Sequence, residues 1–148
     1  MKSYTHQPAI DTHTHTIISG HGFSTLSENT AAARGKGMYG ICLTEHGPCT
    51  PSGPPDFIPH SQQMLPDFIN GVRVYRGIEA NIIDYSGKID IPAEYLAPCE
   101  FVIASFHSFA LQPGTKEENT GAYLGALRNP YMMIRPYLVI LQLWREKL

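Results

Sequence analysis

An α/β fold built on a parallel sheet is the architecture this sequence predicts, and three observations carry it. Short apolar or β-branched runs recur along the chain, and each closes on a histidine or a glutamate. Between the first two runs lies a segment with helix start and stop signals. Strand, helix and strand therefore follow one another within about 35 residues, the length of a βαβ unit. Strands joined by such a crossover are parallel.

The elements follow in order. Residues 8–14 form the first strand candidate, with Ile10 as its apolar anchor, and TIISGHGFST (16–25) is a polar loop. A helix starts at Thr25, because Thr25-x-x-Glu28 is a capping box, and it stops at Gly35-Lys36-Gly37. MYGICLT (38–44) is a second strand that delivers Glu45-His46-Gly47. The proline-rich stretch from Pro48 to Pro66 predicts a long ordered loop or short irregular helices, a length that is usually functional. GVRVYRGIEAN (71–81) is a third strand; Ser86-Gly87 is a turn into a small hairpin arm over Lys88–Ile91. FVIASF (101–106) is a fourth, buried strand followed directly by His107, and residues 115–128 form the next helix, ended by Asn129-Pro130.

Composition narrows the function. The 148 residues suit one domain with a real core. A net charge of −2 supplies no basic footprint, which argues against a nucleic-acid partner. The N-terminal MKSYTHQPAIDTHTH lacks the apolar centre of a signal peptide, and no apolar run approaches the roughly 20 residues of a membrane span. The expectation is a cytoplasmic protein with no membrane partner. Cys42, Cys49 and Cys99 form no Cys-x-x-Cys pair, so zinc-finger and redox frameworks are poorly supported.

The chemistry is concentrated at the strand ends: His13 and His15, then His46, then Glu79, then His107. Carboxyl ends of parallel strands share one face, so these residues converge. Positions i and i+2 of an extended chain face the same way, which lets His13 and His15 hold one ion together. His21 sits in the first loop above that face. Alone, a His-x-His pair or a loop histidine is weak evidence. Glu79 at the end of an apolar run is stronger, since an unpaired buried carboxylate is costly. Imidazoles with a carboxylate suit zinc, manganese or iron. His6 and His60 fall outside the pattern.

The segments DTHTH (11–15), SGHGFSTL (19–26), LTEHGP (43–48), YRGIEANI (75–82) and ASFH (104–107) resemble, in order and spacing, the PHP (polymerase and histidinol phosphatase) superfamily, and most of all its small stand-alone phosphatases. Glu45 stands where an aspartate is usual. The resemblance implies a distorted (β/α)7 TIM-like barrel, of which the first four to five β/α units are present, and up to three zinc ions at its carboxyl-end face. It implies that His13 and His15 hold one metal, that Glu79 bridges it to a second metal bound by His107, and that His21 and His46 hold the third. Asp11 and Glu45 would support these ligands from behind. The implied activity is metal-assisted hydrolysis of a small phosphorylated substrate, with Glu79, His107 and His46 as catalytic residues and Arg76 as a candidate phosphate contact. A phosphodiesterase or nuclease and a truncated, impaired family member are the competing expectations.

Residues 1–130 read as the N-terminal part of a PHP domain, and residues 131–148 as an aberrant tail. MMIRPYLVILQLWREKL (132–148) stands where the family pattern expects a strand and a Gly-His-Pro-Gly-Asn-Pro-like loop. Tyr137–Leu141 can be back-translated to contain Pro-Gly-Asn-Pro out of frame, so a frameshift or sequencing error is the leading expectation for this tail. Leu138–Leu141 with Leu143-Trp144 could form an amphipathic helix over the gap. A barrel short of its last strands leaves an open parallel edge. The expected outcome is an oligomeric or poorly soluble chain with phosphatase activity far below that of a full-length relative; size-exclusion chromatography showing a monodisperse monomer with normal turnover would refute it.

Overall fold

The computed structural model describes residues 9–51 and 53–133. Four strands run parallel: β1 (Ile10–Thr14), β2 (Gly40–His46), β4 (Val72–Asn81) and β5 (Phe101–Ser105). β2 pairs with β1 on one side and β4 on the other, and β5 pairs with β4 beyond it. The short β3 (Phe68–Ile69) runs antiparallel to the start of β4. The result is an open half-barrel with α1 (Leu26–Gly35) and α4 (Lys116–Leu127) among its helices. Three shorter helices complete it: α2 (Ile58–Ser61), α3 (Ala93–Leu96) and α5 (Pro130–Met133). The expected tail helix lies outside the described residues. No helix among the described residues is long and apolar enough to cross a membrane.

Side-chain alternation sorts the strands into two faces. On one, Ile41, Leu43, Val72 and Val74 pack with Ala33 of α1, while Ile78, Val102 and Ala104 join Ala122 and Ala126 of α4. On the other, Cys42, Phe101 and Ile103 pack together with Tyr75. Every residue of β2 is buried, as a central parallel strand requires. β4 carries Tyr75, Gly77, Glu79 and Asn81 on the same face by parity. This is how a glutamate reaches the interior of an apolar strand.

Local signals account for the boundaries. Thr25 and Thr115 each open a helix with a complete capping box. Pro130 starts α5, where its missing N–H costs nothing. β3 and α3 were not foreseen, whereas α2 lies in the proline-rich stretch, where short irregular helices were one of the two expectations. β3 does carry a signal: Asn70-Gly71, with φ of 52° and 76°, makes the positive-φ turn that joins two-residue hairpins. Asn70 Nδ2 then donates to Ser27 O and Thr30 Oγ1, tying the hairpin to α1. The proline-rich stretch leads into α2 and returns Gln62 to the sheet. The buried Gln62 amide donates to Gly77 O and accepts Gly77 N–H, both at 3.0 Å, as a neighbouring strand would.

The capping box at α1 gives a measurable electrostatic signature. The Thr25 N–H and hydroxyl donate to Glu28 at 2.7 and 2.8 Å and hold its carboxyl below the usual carboxylate range. A depressed folded-state pKa means that this support is present at neutral pH and is lost as pH falls through the folded value. Thr25→Ala should lower Tm by a few degrees. It should also return Glu28 toward an ordinary titration midpoint, read by NMR; an unchanged midpoint would contradict the role of the cap.

Candidate metal centre

The first ligand pair depends on an irregularity in β1. Its register with β2 slips by one residue between Asp11 and Thr14, a β-bulge of the kind that re-aims side chains beside functional sites. Asp11 Oδ1 accepts the His13 N–H at 3.2 Å inside the bulge. Beyond it, Thr44 Oγ1 accepts the Thr14 N–H and donates to Thr14 O, both at 3.1 Å, so a side chain replaces ladder bonds. His15 lies past the strand end, where Asn29 of α1 donates to its carbonyl at 2.9 Å. His13 and His15 reach the same cavity, their Nε2 atoms 2.9 Å apart, and the bulge and its hydrogen bonds shape the backbone that carries them.

Glu79 is the centre of the arrangement and is 1% exposed. Its Oε2 lies 3.2 Å from His13 Nε2, 3.3 Å from His15 Nε2 and 2.8 Å from His46 Nδ1, while its Oε1 lies 3.5 Å from His107 Nε2. His46 and Glu79 sit side by side in the β2–β4 register, and His107 follows β5 directly. Burial alone would raise the Glu79 carboxyl, but the facing imidazoles of His13, His15 and His46 outweigh it and hold the group well below the usual carboxylate range. Burial keeps the His107 imidazole below its ordinary range, against the pull of the Glu79 charge.

The structure brings all six predicted ligands to one cavity of about 440 Å³, lined by His13, His15, His21, His46, Glu79, His107 and Phe109. Two groups have the compactness that an ion needs: His13, His15 and Glu79, and His46, Glu79 and His107. Glu79 belongs to both. His21 is exposed and meets His46 through their Nε2 atoms at 2.6 Å, so His46 faces Glu79 with one ring nitrogen and His21 with the other.

The fit of these residues to metal rests on polar atoms that are buried and unpaired. His46 Nδ1 and both Glu79 oxygens approach each other, yet none has an aligned hydrogen bond. Buried groups of this kind are costly unless something between them is shared. The donor set, imidazole nitrogen and carboxylate oxygen, is that of zinc, manganese or iron.

Glu45 lies outside this cluster, beneath it. Completely buried, it accepts the Thr16 N–H at 3.1 Å and the hydroxyls of Thr16 (2.5 Å) and Ser19. Ser19 has one hydroxyl proton and gives it to Glu45, so the His15 Nδ1 at 3.1 Å from Ser19 Oγ is the donor there. His15 thus turns the lone pair of Nε2 toward Glu79. Arg76 is not brought to the site. Three residues from Glu79, it has the opposite parity on β4, and its guanidinium is engaged by Asp67 at 2.7 Å, Glu100 at 3.4 Å and the carbonyls of Gln62 and Leu65. His60, on α2, pairs with Gln63. Sequence reasoning missed Ser19, Asn81, Asp90 and Phe109. Asn81 carried a signal, because it follows Glu79 at i+2 and so shares its face; Phe109 stacks on His107 with ring centroids 4.9 Å apart.

Comparison with known proteins bears on the family of the chain. A family model described as PHP domain matches residues 11–134. A probable phosphatase of Acetivibrio thermocellus is 45% identical over 123 residues, covering 83% of this chain and 51% of the relative. One of Caldicellulosiruptor bescii has the same identity and coverage, and one of Clostridium botulinum is 42% identical over 125 residues, 84% of this chain and 51% of the relative. The chain spans about half the length of the curated relatives it matches.

Because Glu79 belongs to both groups, Glu79→Gln should weaken zinc binding at each by roughly tenfold or more while preserving side-chain volume. His21→Ala, at the exposed rim, should cost less. Zinc titration by competition with a chelating dye reads both; equal losses would contradict the central place of Glu79.

Proposed function

We propose, because this chain belongs to the PHP domain family, that its site hydrolyses phosphate esters and that its substrates are small phosphomonoesters. The observation that carries this reading is the buried Glu79 carboxylate within 3.5 Å of ring nitrogens from four histidines. His13, His15 and Glu79 would hold one ion, and His46, Glu79 and His107 a second, with His21 available to a third through His46. Zinc is the proposed metal, with manganese or iron as alternatives, because imidazole and carboxylate accept all three. When bound, such ions supply Lewis acidity toward phosphoryl oxygens and lower the pKa of water to about 7.

The protein's own contribution is placement. Glu79, which belongs to both candidate ligand groups, would hold two ions, and these would supply positive charge toward a phosphate where the described lining residues include no lysine or arginine. Burial keeps the His107 imidazole below its ordinary range, which favours a free ring nitrogen for a ligand bond. Phe109 walls one side with an apolar ring, leaving a cavity sized for a phosphate with a small organic group. The net charge of −2 and a lining without lysine or arginine among the described residues support a small monoester over a nucleic acid.

The test compares p-nitrophenyl phosphate with its bis-ester on protein stripped with EDTA and reloaded with zinc, manganese or iron. Monoester turnover should exceed diester turnover, vanish on stripping and return with metal. His13→Ala and Glu79→Ala should each reduce it by about 100-fold or more. Preference for the diester, or turnover indifferent to metal, would overturn the proposal.

A further inference from the structure

Behind His107 lies a polar chain, from buried Asn81 to half-buried Asp90, that belongs to no ligand group. Past the end of β4 at Asn81 the chain runs into a turn at Ser86-Gly87 and folds back on itself. Ile82 bridges Ile89 antiparallel, and the Asp90 N–H donates to Asn81 O at 3.1 Å. Gly87, at φ 89°, fits this turn against α4, where a Cβ would stand 2.2 Å from Ala126 N. The return places the Asp90 carboxylate beside Asn81 and beneath the loop that follows β2. Asp90 Oδ1 accepts the Asn81 N–H at 2.8 Å, and Oδ2 accepts the Cys49 N–H at 3.0 Å. Gly47 makes room for it, since a Cβ there would lie 2.5 Å from both carboxylate oxygens.

Asn81, fully buried, is oriented by this carboxylate. Its amide can face Asp90 Oδ2, 2.6 Å away, only with its NH2 group, because the carboxylate offers no proton. Thr50 Oγ1 lies 3.3 Å from the same nitrogen. The Asn81 oxygen therefore faces His107, whose Nδ1 is 2.7 Å away. An amide oxygen accepts only, so Nδ1 of His107 must carry the proton and Nε2 the lone pair. That lone pair lies 3.5 Å from Glu79 Oε1. Two acceptors facing each other in a buried site repel unless a cation stands between them.

We propose that Asn81 and Asp90 are positioning residues for metal binding: Asp90 sets the Asn81 amide, and Asn81 sets the His107 tautomer that presents Nε2 to an ion shared with Glu79. The relay parallels Glu45–Ser19–His15, so each ligand group has one histidine whose ring is set by a carboxylate acting through a neutral side chain. Ligand histidines with such partners lose roughly ten- to a hundredfold in metal affinity when the partner is removed. The inference concerns binding and does not depend on which ester reacts.

The direct measurement is the tautomer. In metal-free full chain labelled with 15N in its histidines, long-range 1H–15N spectra above the ordinary histidine pKa distinguish Nδ1–H from Nε2–H, and His107→Gln assigns the signal. The wild type should show His107 as Nδ1–H. Asn81→Leu should shift it to Nε2–H with the His13 pattern unchanged, and zinc affinity should fall about tenfold or more. Asp90→Asn, which can satisfy Asn81 in either amide orientation, should give a mixture. A wild-type His107 protonated at Nε2 overturns the proposal even if Asn81→Leu fails to fold, and so does an Asn81→Leu protein with unchanged tautomer and affinity.

Discussion

Glu79 is a carboxylate almost wholly removed from water, and the surrounding structure is organised to make that tolerable. An isolated buried charge costs several kcal/mol even after relaxation. Here four imidazoles converge on it from three other strand ends, and the parity of β4 keeps it on their side of the sheet. The parallel topology follows from the same need. Only strands whose carboxyl ends share one face can bring residues 13, 46, 79 and 107 within one ligand radius. The pronounced lowering of the Glu79 pKa expresses this convergence as charge retention. A site that holds its anion in this way is prepared for cations.

Around this centre the backbone is shaped more irregularly than the sheet alone would require. A bulge in β1 re-aims His13, and an asparagine from α1 secures the carbonyl of His15. The hairpin arm after β4, which packs against α4 through Gly87, returns Asp90 to the back of the site. These devices link the apolar packing of the two helices to the orientation of imidazole rings. Two relays, Glu45–Ser19–His15 and Asp90–Asn81–His107, end in carboxylates that accept backbone N–H groups as well. Ring orientation is thus tied to main-chain hydrogen bonding, which is harder to disturb than a side-chain contact.

Much of this was legible in the chain. The capping box at Thr25 announced α1, residues 115–128 read as the helix that is α4, and the apolar runs announced the parallel strands within a few residues of their ends. His13, His15, His46, Glu79 and His107 could be named because strand-end position is a one-dimensional property, and His21 because it sits in the first loop above that face. Arg76 shows the limit of the same reading. Its closeness to Glu79 in sequence suggested a phosphate contact, but odd spacing on a strand sends it to the other face, where Asp67 and Glu100 hold it. Asn70-Gly71 was a readable turn signal that the short β3 made easy to pass over.

By itself the sequence determined the α/β class, the identity of the side chains that converge on one cavity and the family, because each depends on local periodicity, helix punctuation or ordered motifs. Tertiary structure decided which ring nitrogen of each histidine faces Glu79, how Asp11 supports a bulge, and that Asp90 lies beside Asn81. Those outcomes depend on register shifts and on hydrogen bonds between segments distant along the chain. The physical reason is that a hydrogen bond depends on direction as well as distance. Residue order can predict that His107 arrives at the site, but only the packed chain, through Asn81 and Asp90, determines which of its nitrogens is left to bind.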